Sequence, residues 1–143
     1  VDLGSYNGTA FELGIRDTSA LVANFYKADR EIERAMIRHV REITEIFDSV
    51  WESLTPVDTA FMVTHRHIRL TKSGLGFEAG WDASEFLNAG FAFYPFFQEF
   101  GTRMMAAQPS LGPAYRYIEP IFRDGTREIV QAAIARLNQG SAR

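Results

Sequence analysis

The chain contains no cysteine, which excludes disulfides, thiolate metal sites and a cysteine nucleophile. It has only three histidines, at 39, 65 and 67. None has a serine and an aspartate in an arrangement suggesting a triad, and there is no Gly-x-Ser-x-Gly, so the reading is non-enzymatic. No apolar run approaches the roughly 20 residues of a membrane-spanning helix. The opening Val1-Asp2-Leu3-Gly4 lacks the basic-then-apolar order of a signal peptide, so neither membrane nor secretion is expected. There is no basic excess: the net charge is −3, which argues against a dedicated nucleic-acid binder. Glycines at 74, 76 and 80 lack the strand–turn–helix order of a dinucleotide loop, and Lys72 precedes them, unlike a P-loop lysine. No cofactor is expected.

What the chain does have is a core. With 143 residues, one domain over 1–143 is expected, burying roughly 68–70% of the unfolded chain's surface. Residues 1–9, with Gly4, Ser5, Asn7 and Gly8, read as a flexible arm. Phe11-Glu12-Leu13-Gly14-Ile15-Arg16 alternates as a short strand does. Asp17-Thr18-Ser19 offers N-cap oxygens, and residues 20–54 contain neither glycine nor proline. Apolar residues at 36, 40, 43, 47, 50 and 54 form one stripe, which predicts a helix over about 18–54, roughly 50 Å long. Thr55-Pro56 ends it.

Val63–Thr71 and Leu75–Trp81, around Lys72-Ser73-Gly74, predict a β-hairpin. Asp82–Gly90 reads as a loop or short helix. Ala92–Phe100 reads as a third strand, edge-placed or bulged because Pro95 lacks an N–H. Gly101 reads as a turn. A C-terminal helix is expected from about Pro113, with a kink or break between Pro120 and Gly125 and a frayed tail over 138–143. The fold class is α+β: a long N-terminal and a C-terminal helix on a small, mainly antiparallel sheet.

Three clusters carry functional weight. His65-x-His67 on a strand places two rings on one face, and Glu78 or Asp82 across the hairpin would supply a third metal ligand; the flanking arginines favour a solvated strand, and no metal is expected. His65, Arg66, His67, Arg69 and Lys72 form the most basic stretch, a candidate surface for DNA or for a neighbour's acidic face, with Phe77 and Trp81 following as stacking candidates. The third cluster is an aromatic excess over 86–100, followed by Met104 and Met105. Aromatics anchor interfaces and methionines give adaptable apolar surface. The candidate subunit interface therefore comprises Phe93, Tyr94, Phe96, Phe97, Glu99, Phe100, Gly101, Thr102, Arg103, Met104, Met105, Pro109 and Leu111. Glu99 is expected to hold the loop by accepting hydrogen bonds from backbone or from Arg103.

The ordered set Pro56-Val57-Asp58-Thr59, Glu99-Phe100-Gly101-Thr102 and Ala107-Gln108-Pro109-x-Leu111-x-Pro113-Ala114 resembles the head–tail joining proteins of long-tailed bacteriophages, the neck, tail-completion or tail-terminator family. The likeness covers roughly a third of the chain. This chain departs from the family pattern at Ala60 and Phe61, where glycine and a polar residue are usual, and has Met62 where leucine is common. The resemblance implies an α+β virion protein that forms a ring, usually a hexamer, at the head-proximal end of the tail. It would complete or terminate the tail and join it to the DNA-filled head. Implied partners are copies of itself, a head-completion or connector protein and the tail-tube protein, with passing contact to double-stranded DNA. Assembly in the host cytoplasm and residence in the virion follow, and prophages and gene transfer agents carry similar proteins. The alternative is a small nucleic-acid-binding domain using the basic 65–72 hairpin.

Overall fold

The computed structural model describes residues 5–6, 11–14, 30–57 and 60–140. The 17–19 cap, the first part of the long helix, Asp58-Thr59 and the tail beyond 140 lie outside the described residues, as does most of the 1–9 arm. The fold is α+β. In chain order the elements are β1 (Ser5–Tyr6), β2 (Phe11–Gly14), α1 (Arg30–Leu54), α2 (Phe61–Thr64), β3 (His67–Leu70), β4 (Phe77–Gly80), α3 (Ala83–Asn88), α4 (Pro95–Phe100) and α5 (Leu111–Gly140).

The sheet has the order β1-β2-β4-β3, and each adjacent pair is antiparallel. The expected hairpin is present: His67 pairs with Gly80 and Leu70 with Phe77. Its first strand starts later than the alternation suggested, because Phe61–Thr64 coils into one helical turn. Trp81 Nε1 donates to the Met62 carbonyl at 2.9 Å, pinning that turn to the end of β4. Within the expected arm, Ser5 and Tyr6 pair with Glu12 and Phe11.

The core lies between α1, α5 and the sheet. Helix α1 buries Ile32, Met36, Val40, Ile43, Phe47 and Trp51. The heptad-like pattern had continued through Val50 and Leu54. In the structure Trp51 is the buried residue at that level and Leu54 is exposed. A straight helix turns every 3.6 residues and drifts off a 3.5 repeat, so the buried face moves round to Trp51. Trp51 meets Trp81 edge-on at 4.8 Å, and Phe47 packs on Phe77 at 5.0 Å.

Helices α1 and α5 run antiparallel. The start of α1 meets the end of α5 through the Glu31–Arg136 ion pair, and His39 contacts Phe122 midway along both. The break expected in α5 is absent: the helix runs through Pro120 and Gly125 to Gly140. Pro120 and Arg116 are both on the exposed side, the side on which a helix tolerates a proline, because solvent can reach the carbonyl left without its helical donor. Gly125 is a contact glycine rather than a breaker. The His39 ring lies so close that a Cβ there would fall 2.2 Å from its Cε1.

A candidate subunit interface

The segment 92–100 is not a strand. Aromatic residues favour strands because they pack well on pleated surfaces, but Pro95 occupies the first turn of a helix, where its fixed φ and missing N–H cost nothing. Helix α4 results, with Gln98 N–H bonded to the Tyr94 carbonyl at 3.0 Å and Gly101 N–H to the Phe97 carbonyl at 2.7 Å. Gly101 ends it at φ 77°, in the left-handed region that favours glycine. The chain then doubles back so tightly that a Cβ on Gly101 would lie 2.9 Å from the Ala107 nitrogen.

Glu99 is buried, 9% exposed, and faces away from solvent. Its Oε2 accepts from the Ser110 N–H at 2.9 Å and the Leu111 N–H at 3.2 Å, and its Oε1 accepts from the Gly112 N–H at 2.7 Å. The first N–H groups of a helix have no partner within it. Glu99 is thus a remote cap for α5, with a carboxylate at the positive end of a 30-residue helix. Thr102 Oγ1 accepts from the N–H groups of Met104 and Met105, and the Thr102 N–H donates to the Met105 carbonyl. The Gln108 N–H reaches the Gln98 carbonyl at 2.7 Å. Glu-Phe-Gly-Thr therefore braces one loop: Glu99 holds its far end, Gly101 allows the reversal, and Thr102 closes the tip.

The candidate interface residues divide by burial. Leu111 is fully buried and Glu99 is committed internally, so neither is available to a neighbour. Phe93 and Tyr94 are half-buried and pack on the core, each ring edge-on to Phe86. Phe97 and Phe100 are 42% and 55% exposed, and Met104 is 95% exposed. Phe96 joins the two phenylalanines, its ring 6.0 Å from Phe97 and 5.0 Å from Phe100. Arg103 and Pro109 are exposed on the loop.

Beside this patch lies an open groove of about 400 Å³, lined by Pro56, Met62, Tyr94, Phe97, Gln98, Thr102 and Met105. Pro56, Met62 and Gln98 were not among the expected residues. Their side chains come from three separate segments, so no local pattern in the sequence marks them as neighbours. Gln98 has its Oε1 buried without a hydrogen-bond partner.

The basic run is largely tied down. The Arg66 guanidinium bonds to the Asp48 and Glu52 carboxylates and to the Val63 and Asp48 carbonyls. It also lies 5.2 Å from the Trp51 ring centre, in cation–π range. His67 pairs with Glu85 at 2.6 Å and Arg69 with Glu78. His65 and His67 do not share a strand face: His65 is the residue after α2, its ring stacked on Phe61 at 3.7 Å. Lys72 is exposed in the hairpin turn. Phe77 and Trp81, the candidate stacking platforms, are core. Asp82 caps α3, accepting from both the Oγ and the N–H of Ser84. These two bonds, the side-chain one first, hold its carboxyl below the ordinary 3.8, helped by the charge of His67. Among the described residues no three His, Asp or Glu side chains gather to hold a metal ion, and no helix is long and apolar enough to cross a membrane.

No family model, curated protein or solved structure matches this chain.

Proposed function

We propose that the protein is a structural component of a phage-like particle, assembling as a ring at the head-proximal end of the tail and joining tail to head. Two things support this. One is the likeness of the 56–59 and 99–114 motifs to the head–tail joining proteins. The other, which carries the reading, is the exposed apolar patch of Phe97, Phe100, Met104 and Met105 on a segment braced by Glu99, Gly101 and Thr102. Exposed apolar surface of this kind marks a contact site. A ring needs two different contact surfaces per subunit, and this patch supplies one. The nucleic-acid alternative has less behind it, because Arg66, His67 and Arg69 each face a carboxylate.

The test is genetic and visual. Deleting the gene from a phage or prophage that encodes it should leave filled heads and separate, unjoined tails in electron micrographs. Normal joined particles after deletion would refute the reading.

A further inference from the structure

The apolar face described above combines a projection with a recess. Met104 is the most exposed large hydrophobic residue among those described, at the tip of a loop closed by Thr102. Immediately beside it Met105 lines the groove, with Phe97, Pro56 and Met62 as its other apolar walls. The groove lacks two things: an apolar filler, and a donor for Gln98 Oε1, which has no partner. A turn about the soft terminal torsion of Gln98 would present that oxygen to an occupant. The loop tip offers both missing parts. Met104 is an unbranched, adaptable filler. Arg103 next to it is exposed and brings a guanidinium, a fork of N–H donors with no acceptor.

We infer that this face binds a second copy of itself. The Arg103-Met104 tip of each copy enters the groove of the other, Met104 filling the apolar recess and Arg103 donating to Gln98. Tip and groove are adjacent on one subunit, so two copies satisfy each other at once. Such a contact is isologous and closes as a two-fold pair; it does not propagate. Phe97, Phe100, Met104 and Met105 expose on the order of 450 Å² if each offers roughly the 200 Å² of a large aromatic side chain. A standard interface takes about 800 Å² from each partner, and the exposed Arg103 and Pro109 of the same loop add to this centre. The pairing stands without the ring reading. Its role rests on that reading: the pair is the held-back form, covering the face until the growing particle displaces one copy.

Sedimentation equilibrium of the purified full chain tests this over about 1–100 µM, the range that resolves a micromolar Kd. The expected species is a pair, with no larger closed form. Met104→Asp at the tip and Phe97→Arg in the groove should each weaken pairing at least tenfold, with circular dichroism unchanged. Mixing the two variants should restore part of the pairing, since a mixed pair keeps one intact tip and one intact groove. A wild-type monomer at about 100 µM would overturn the inference. So would a ring that Met104→Asp dissolves, or a pair that survives both substitutions. These outcomes are separate from the gene-deletion result, so either reading can fail alone.

Discussion

Glu99 accepts a 2.7 Å hydrogen bond from the N–H of Gly112, thirteen residues further along the chain. With the Ser110 and Leu111 bonds, this makes one carboxylate the N-terminal cap of the C-terminal helix. Glu99→Ala leaves three N–H groups without that acceptor in a buried place. The expected loss is about 2–3 kcal/mol, from unsatisfied buried donors and the lost helix-end charge. Glu99→Gln keeps one acceptor oxygen and should lose roughly half of that. Urea denaturation at neutral pH measures both, and equal stability of Glu99→Ala and wild type would contradict the capping role.

Gly125 and His39 share one space. Gly125→Ala gains about 1 kcal/mol of helix propensity but forces a methyl into the imidazole, and overpacking costs roughly 1–3 kcal/mol. The net should be destabilising. In a His39→Ala background the same substitution should become neutral or stabilising. A double-mutant cycle reads the coupling, and additivity would show that the ring is not the obstacle.

Ala60 sits at φ 57°, ψ −13°, a left-handed conformation costing an L-residue with a Cβ about 1–2 kcal/mol. Ala60→Gly should therefore stabilise the protein by about 1 kcal/mol, less the extra chain entropy of glycine. The thermal midpoint is the readout, and a fall would contradict the strain.

Asp82 gives a pH signature. Its folded carboxyl is held below 3.8 by the Ser84 hydroxyl and N–H, so the carboxylate's contribution is complete above that value. It is lost as pH falls through the lower folded value. Asp82→Ala should cost about 1 kcal/mol at neutral pH, as N-cap removals do, and progressively less in acid. Asp82→Asn, which keeps a capping oxygen, should not show this trend. Urea midpoints from pH 2 to 7 compare the three proteins.

Folding and assembly separate at neighbouring residues. Phe100 is more than half exposed, so Phe100→Asp should change stability by under about 1 kcal/mol while reducing joined particles. Gly101→Val puts a branched side chain at positive φ against the Ala107 backbone and should destabilise by about 2 kcal/mol or more. Full particle yield with both substitutions would remove any special role for this turn.

The sequence made the long helices and the hairpin legible because their signals are local. Apolar residues recur with a helical period from Met36 to Phe47, and Lys72-Ser73-Gly74 separates two strand-like runs. The failures came where the deciding partner is distant. The aromatic run at 92–100 looks like a strand until Pro95 is read as a helix start. Gly125 looks like a breaker until His39, far away in the chain, occupies the space. At the candidate interface, chain order alone could not sort exposed Phe97, Phe100 and Met104 from buried Leu111 and Glu99. Glu99's bonding to backbone was expected, but its burial was not, since carboxylates are rarely buried unless fully paired.

The two cross-braces of the 102–108 loop, Thr102 to Met105 and Gln98 to Gln108, bear on the thermodynamics of any contact it makes. A slack loop gives up freedom when it docks, at about 0.5–1.5 kcal/mol for each immobilised side chain and more for its backbone. Here the backbone has already surrendered that freedom during folding. Association through Met104 should therefore show a small entropic penalty and a negative heat-capacity change from apolar burial. Cutting the Thr102 brace should weaken the contact by returning that freedom to the loop that carries Met104.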